Sequence, residues 1–385
     1  MRPSSWLLAL VAIVSASPGR AAAQLVLSAN DAKAVIVDGV QTILVSPPSD
    51  TLSAIDLGGD TPRVIAEIPV PTSVTGPPSS VAVAPDGGMA LVTAAQRIDP
   101  ANPRATIAYD AVSVIDLRAE PPRVVATVHA GAGASGVSIN PAGTLALVAN
   151  RVAGTVSVFT ISGSALTPAG TVDFGAPDSG PSHVAFTPDG KTALVTRSHD
   201  SRISVLAIDG TTVTYTQHDL IAGFRPYQIE VAPSGEVAIT GTIGAGATGS
   251  ADVLGVIDLR AEPARGVDQV TVGQTAEGIG ISPDGRFVAV TVMNGSNQPA
   301  ASPFFNDHGL LRIFALRGLR LTPLTEVRIG RWCQGIAWTP DSDTVMAGCM
   351  VDRQIHVFAF DGQRLTETTT IALPGGSAAL AMTGP

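Results

Sequence analysis

Residues 278–294 read GIGISPDGRFVAVTVMN, and the two halves of this stretch obey one rule. Ile279 and Ile281 alternate with small residues before Pro283-Asp284-Gly285, and Val288, Val290 and Val292 alternate with Ala289 and Thr291 after it. Period-two alternation puts every second side chain on one face of a strand, while Pro fixes φ and Gly accepts a positive φ, so the stretch predicts an antiparallel hairpin. Five more segments repeat it: SVAVAPDGGMALVTA from Ser80, GVSINPAGTLALVAN from Gly136, HVAFTPDGKTALVTR from His183, QIEVAPSGEVAITGT from Gln228 and GIAWTPDSDTVMAGC from Gly335. The turn prolines are Pro85, Pro141, Pro188, Pro233, Pro283 and Pro340, at intervals of 56, 47, 45, 50 and 57 residues.

A third apolar run follows each hairpin, as in VSVIDL from Val112 and LGVIDL from Leu254, and a fourth usually follows that. The two even recur together, as IDLRAEPPRVVATV from Ile115 and IDLRAEPARGVDQV from Ile257. Four short strands per roughly 50 residues describe one propeller blade. Counting LSAIDL from Leu52 there are seven third strands but only six full hairpins, and SAALAMT at Ser377–Thr383 is an orphan strand at the other end. The two ends are therefore expected to share a blade, since a ring left open exposes two unpaired edges. The expectation is all-β: a single seven-bladed β-propeller over residues 24–385, built of four-stranded antiparallel blades.

The hairpin pattern, clearest in VSINPAGTLALVAN and GISPDGRFVAVTVMN, resembles the YVTN-repeat propellers, including the exported YncE-like proteins. The resemblance spans almost all of residues 24–385. Its relatives include lactone-hydrolysing enzymes, a cyclic-muconate lactonising enzyme, surface-layer proteins and redox-enzyme subunits, so it implies the fold and leaves the activity open.

Composition narrows the partners. The chain has 385 residues, 45% hydrophobic and 14% charged, with a formal charge of −9. Lys33 and Lys191 are its only lysines, so no basic stripe exists to neutralise a phosphate backbone, and nucleic acid is excluded as a partner. Arg2, the apolar run Trp6–Val14 and Ala21-Ala22-Ala23 read as an export signal over residues 1–23, cleaved after Ala23. No later stretch is long and apolar enough to span a membrane, so the expected location is the periplasm or the extracellular space.

In a four-stranded meander the first-to-second turns lie on one face, and the second-to-third loops and blade connections on the other. The second face collects the insertions at 95–109, 241–251 and 293–309, and binding is expected there. It also carries Arg151, Arg197, Arg225, Tyr227, Arg331, Gln334 and Arg353. Guanidinium groups converging on an acidic protein fit a small anionic ligand, although such arginines also serve as braces between loops. His183 and Glu277, at the starts of innermost strands, are the candidate acid and base, against the plainer reading of side chains hydrogen-bonded in place. His199-Asp200 and Asp307-His308 are weak metal pairs, with no third ligand at a recognised spacing.

Gly131–Gly136 and Gly244–Gly249 match the dinucleotide spacing G-x-G-x-x-G, but each precedes a strand where the phosphate site needs a helix. No G-x-S-x-G, H-E-x-x-H or C-x-x-C-H occurs. Cys333 and Cys349 sit symmetrically about Asp341 and are expected to face each other as a disulfide, the alternatives being two buried thiols or a one-residue slip in register.

These readings leave three functions open. The first is an exported module holding a small anion or another exported protein on the loop-rich face. The second is a lactonase-like hydrolase or lyase working at the mouth of the central channel. The third is an accessory subunit of a periplasmic redox enzyme. The cofactor is left open as well.

Overall fold

The computed structural model describes residues 24–59, 61–246 and 248–384. The expected export signal at 1–23 lies outside the described residues. Seven four-stranded antiparallel sheets form the blades of a propeller. The innermost strands of blades one to six are Val81–Val83, Ala134–Ile139, Pro181–Phe186, Pro226–Val231, Ala276–Ile281 and Cys333–Trp338. Blade seven is shared by both ends of the chain: Gly376–Met382 supplies its inner strand and Leu25–Asp31, Thr51–Asp56 and Arg63–Pro69 the rest. Val26 faces Met382, and Leu25 and Thr383 exchange hydrogen bonds at 2.9 Å in each direction. No helix among the described residues is long and apolar enough to cross a membrane.

The core lies between blades. Ile239 and Val256 of blade four pack with Ile279, Val290 and Phe314 of blade five, and similar clusters join the other neighbours. Phe159, Phe314 and Phe358 are fully buried, each contributing on the order of 2–3 kcal/mol. Threonines on second strands staple neighbouring blades: the Thr196 hydroxyl donates to the Tyr227 carbonyl at 2.7 Å and Thr291 to that of Gln334 at 3.0 Å.

The top of the inner strand departs from the simple hairpin. In blades two to six the ladder slips by one residue there, as between Pro226 and Ile229 or Ala276 and Gly278. This β-bulge re-aims the extra residue. It also decides the cysteine pairing. The lower ladder, with Ile336 opposite Ala347, carried upward would set Gln334 against Cys349; the bulge absorbs one residue, sets Cys333 opposite Cys349, and the two form a disulfide.

The insertions on the loop-rich face are partly strand. Residues 95–109 lengthen the second and third strands of blade one, Met89–Asp99 and Asn102–Asp116, into a ribbon. A hairpin that the repeat pattern does not show, Ala34–Val37 with Val40–Ile43, rises from blade seven. Its tip meets the blade-five insertion, where the Ala300 amide donates to Asp38 at 3.1 Å. Gly39 there has φ +74°, and a Cβ would fall 2.1 Å from the Pro299 nitrogen, so only glycine fits.

Candidate functional site

The bulge residues are Ser135, Ser182, Tyr227, Glu277 and Gln334, each six positions before its hairpin proline, with Ser79 at the same place in blade one. Two positions earlier the backbone is left-handed in every one of these five blades: Gly133, Gly180, Arg225, Thr275 and Trp332. The αL residue turns the chain inward from the blade connection, and the bulge aims the next side chains at the channel mouth. Short serines follow the glycines; long polar side chains follow the three strained residues.

These groups form a buried polar floor. Arg151, from the loop after the second strand of blade two, donates to Ser182 Oγ at 2.7 Å and Ser198 Oγ at 3.2 Å, and its guanidinium lies 5.4 Å from the Tyr227 ring centre. The Glu277 carboxyl is buried, with the Gln334 amide as its hydrogen-bond partner, and Oε2 has no partner. Among the described residues Ser79, Ser135 and Gln334 also hold buried oxygens without hydrogen bonds. Burial pushes the Glu277 carboxyl up to about 8, against the Gln334 hydrogen bond and the charge of Arg151, so it is protonated at neutral pH. The Tyr227 hydroxyl is raised by burial as well.

Beside Arg151 a cleft of about 280 Å³ opens on the loop-rich face, bounded by Thr75, Gln96, Arg151, Val152, Pro177 and His199. His199 Nε2 lies 3.3 Å from Arg151 Nη2 and its Nδ1 3.2 Å from the Asp178 carbonyl. The guanidinium can only donate, so Nε2 keeps its lone pair toward the cleft wall and Nδ1 carries the proton. Burial, then the charge of Arg151, lower its pKa and keep the ring neutral. Arg225 donates to the Gly244 carbonyl at 3.2 Å, and its charge is felt at both His199 and Tyr227.

The remaining residues singled out by sequence lie elsewhere. Arg197 is a buried brace, bonded to Asp200, 3.5 Å from Asp219 and stacked 5.0 Å from the Phe174 ring. Arg331 pairs with Asp352 at 3.6 Å, and Arg353, at φ +52°, caps the strand end through its carbonyl to Leu373. His183 lines the channel wall, its Nδ1 accepting the Ile229 amide at 3.3 Å, and no hydrogen bond among the described residues joins it to Glu277. His199 and Asp200 diverge, and the Asp307 and His308 side chains bond each other at 2.6 Å. No cluster of three metal-ligating side chains occurs among the described residues. The serines of the floor had a signal, a fixed offset from each proline, visible only once the repeats are superposed.

The sequence model of the family described as "Lactonase, 7-bladed beta-propeller" matches residues 105–220, from the third strand of blade one through blade three. No curated protein matches the chain. Among solved structures, a protein of Bacteroides fragilis described as a candidate 6-phosphogluconolactonase superposes with a TM-score of 0.71 at 17% identity, covering 95% of this chain and 99% of that one. The periplasmic gluconolactonase of Pseudomonas aeruginosa gives 0.65 at 15% identity, covering 94% and 99%. A protein of unknown function from Desulfotomaculum acetoxidans gives 0.68 at 16% identity, covering 87% and 96%. The chain is thus a seven-bladed propeller in which residues 105–220 match the lactonase propeller family.

Proposed function

We propose that this protein is a lactonase-like hydrolase or lyase whose site is the loop-rich mouth of the central channel, acting on an anionic lactone of sugar-acid size. The observation that carries the reading is the grouping of Tyr227 and the protonated Glu277 around Arg151, which itself lines a cleft walled by neutral His199. Ring opening of a lactone needs what that set offers. Water adds to the carbonyl carbon and gives its proton to His199 Nε2, which is freed as the forming oxyanion replaces it as acceptor of the Arg151 guanidinium. When the ring C–O bond breaks, the departing alkoxide takes the proton held by Glu277. Arg225, without a carboxylate partner among the described ion pairs, adds positive charge for an acidic substrate. The family match and the two neighbours named for gluconolactone chemistry support the same reading. We propose as well that the chain is exported, on the signal-like residues 1–23 and the Cys333–Cys349 disulfide.

The test is acid release from glucono-δ-lactone and its 6-phosphate, followed by indicator absorbance above the spontaneous rate. Arg151→Ala and Glu277→Gln are each expected to lower kcat/KM by about 10²–10³ while unfolding cooperatively. Equal turnover in both variants would sink the assignment, and saturable binding of these lactones without turnover would return the site to a holding role.

A further inference from the structure

The channel holds a second site, beneath the polar floor and open on the opposite face. Three positions before the hairpin prolines the inner strands carry Ala82, Ser138, Ala185, Gly280 and Ala337, and Ala381 stands at that level in the closing strand; the seventh position is Glu230. Six small residues leave a cavity of about 420 Å³ with one carboxyl in its wall. One residue further down the collar is large and apolar, with Phe186, Ile281, Trp338 and Met382. The cavity reaches Pro141 and Pro283 of the hairpin turns, so its mouth is on the turn face, and it ends above at Ser79, His183 and Gln228.

Glu230 is held and left uncompensated. Its Oε1 accepts from Gln228 Nε2 at 3.1 Å, and Gln228 is fixed in turn by both backbone groups of Ile279, at 3.0 and 3.1 Å. Among the described hydrogen bonds none reaches Oε2, and no lysine or arginine lines the cavity. The one other titratable group on the seven inner strands facing it is His183, which burial pushes down to about 4 and which is therefore neutral.

We propose that this cavity binds a small organic ammonium ion, its nitrogen at Glu230 and its apolar body against the collar. A carboxyl desolvated by the channel, pushed up to about 7, has its charged form stabilised by a cation more than by any neutral group. An anion would be repelled, and an inorganic cation would find a single carboxylate where it needs several oxygens. An apolar body adds burial that no bare ion can supply. The site is separate from the proposed lactone site, so either stands if the other fails.

Calorimetric titration of the protein with cyclohexylammonium, cyclohexanol and cyclohexanecarboxylate tests it. Saturable binding of the ammonium is expected, at least tenfold tighter than the alcohol, with none for the carboxylate. Affinity should weaken from pH 8 to pH 6 as protons compete for Glu230. In the unaltered protein at pH 7, buffers of different ionisation enthalpy should report roughly half a proton released per ammonium bound. Glu230→Gln, checked for cooperative thermal unfolding, should bring the ammonium to the affinity of the alcohol. No saturable ammonium binding at millimolar concentration, equal binding of the three probes, or no proton release would overturn the proposal.

Discussion

Glu277 sets the fold against the proposed chemistry. A glutamate titrates ordinarily near 4.5, and here burial moves it to about 8. Between those values the folded protein keeps a proton that the unfolded chain has released, so stability falls as pH rises across that window and the full loss is felt above it. His183, lowered from 6.5 to about 4, acts with the opposite sign: the unfolded chain takes up its proton first, so stability is lost as pH falls through that interval. Glu277→Gln removes the first effect alone. Relative to the unaltered protein the variant should gain on the order of a few kcal/mol at pH 8 over its difference at pH 5, measured by chemical denaturation at both values. A difference that stays flat with pH would mean that Glu277 is not held protonated. At this scale the sequence was partly legible. Arg151, Tyr227, Glu277 and Gln334 read as mouth residues from their places in the repeat, and they meet there. Arg197 did not declare itself a brace, because Asp219 lies 22 residues away and is brought over by strand pairing. Glu230 drew no reading from the sequence, because its small counterparts show only when the seven repeats are superposed.

The inner hairpin is the unit that repeats, and its upper end is where simple alternation fails. Period two and a Pro-Gly turn predict an unbroken ladder, and below the bulge the ladder is that; above it the left-handed residue and the extra residue change the register. Neither feature has a composition of its own, since glycine fills the left-handed position in two of these blades and Arg225, Thr275 and Trp332 fill it in three. Thr275 is the least suited, because a β-branched side chain at φ +61° crowds its own backbone. Its amide donates to Asp252 at 2.7 Å and its carbonyl accepts from Met293 at 3.0 Å, which holds the conformation in place. Thr275→Gly relieves the strain but loosens the unfolded chain, and the net expectation is a stabilisation of about 0.5–1 kcal/mol. Denaturant midpoints of the two proteins measure it directly. A loss instead of a gain would show that contacts of the threonine side chain outweigh the strain, and would remove the case that this position is spent on aiming Glu277.

Closure governs the molecule as a whole. Gly376–Met382 is the inner strand of blade seven and packs against the inner strands of blades six and one, yet no turn links it to the rest of its blade, which it meets through strand pairing and apolar packing. An N-terminal copy without its innermost strand and an orphan strand at the C-terminus made this legible from sequence, whereas the hairpin Ala34–Ile43 and its reach to the blade-five insertion were not, since neither belongs to the repeat. Because Leu25 and Thr383 already exchange hydrogen bonds, a short linker from Gly384 to Gln24 should join the ends without strain. Opening that circle between Pro374 and Gly375 gives a permuted chain in which the four strands of every blade follow one another, with the hairpin Ala34–Ile43 as an insertion in blade seven. If the closing strand works by sealing the ring, the permuted protein should fold and melt within a few degrees of the parent, because no native pairing is lost. Deleting residues 375–385 from the parent should instead abolish the cooperative transition, since it bares the edge of Leu25–Asp31 and the flanks of both neighbouring blades. A truncated protein that melted like the parent would mean that the other six blades hold the ring by themselves. A permuted protein that failed to fold would mean that the order of synthesis, with Leu25–Asp31 waiting for its partner, is itself required.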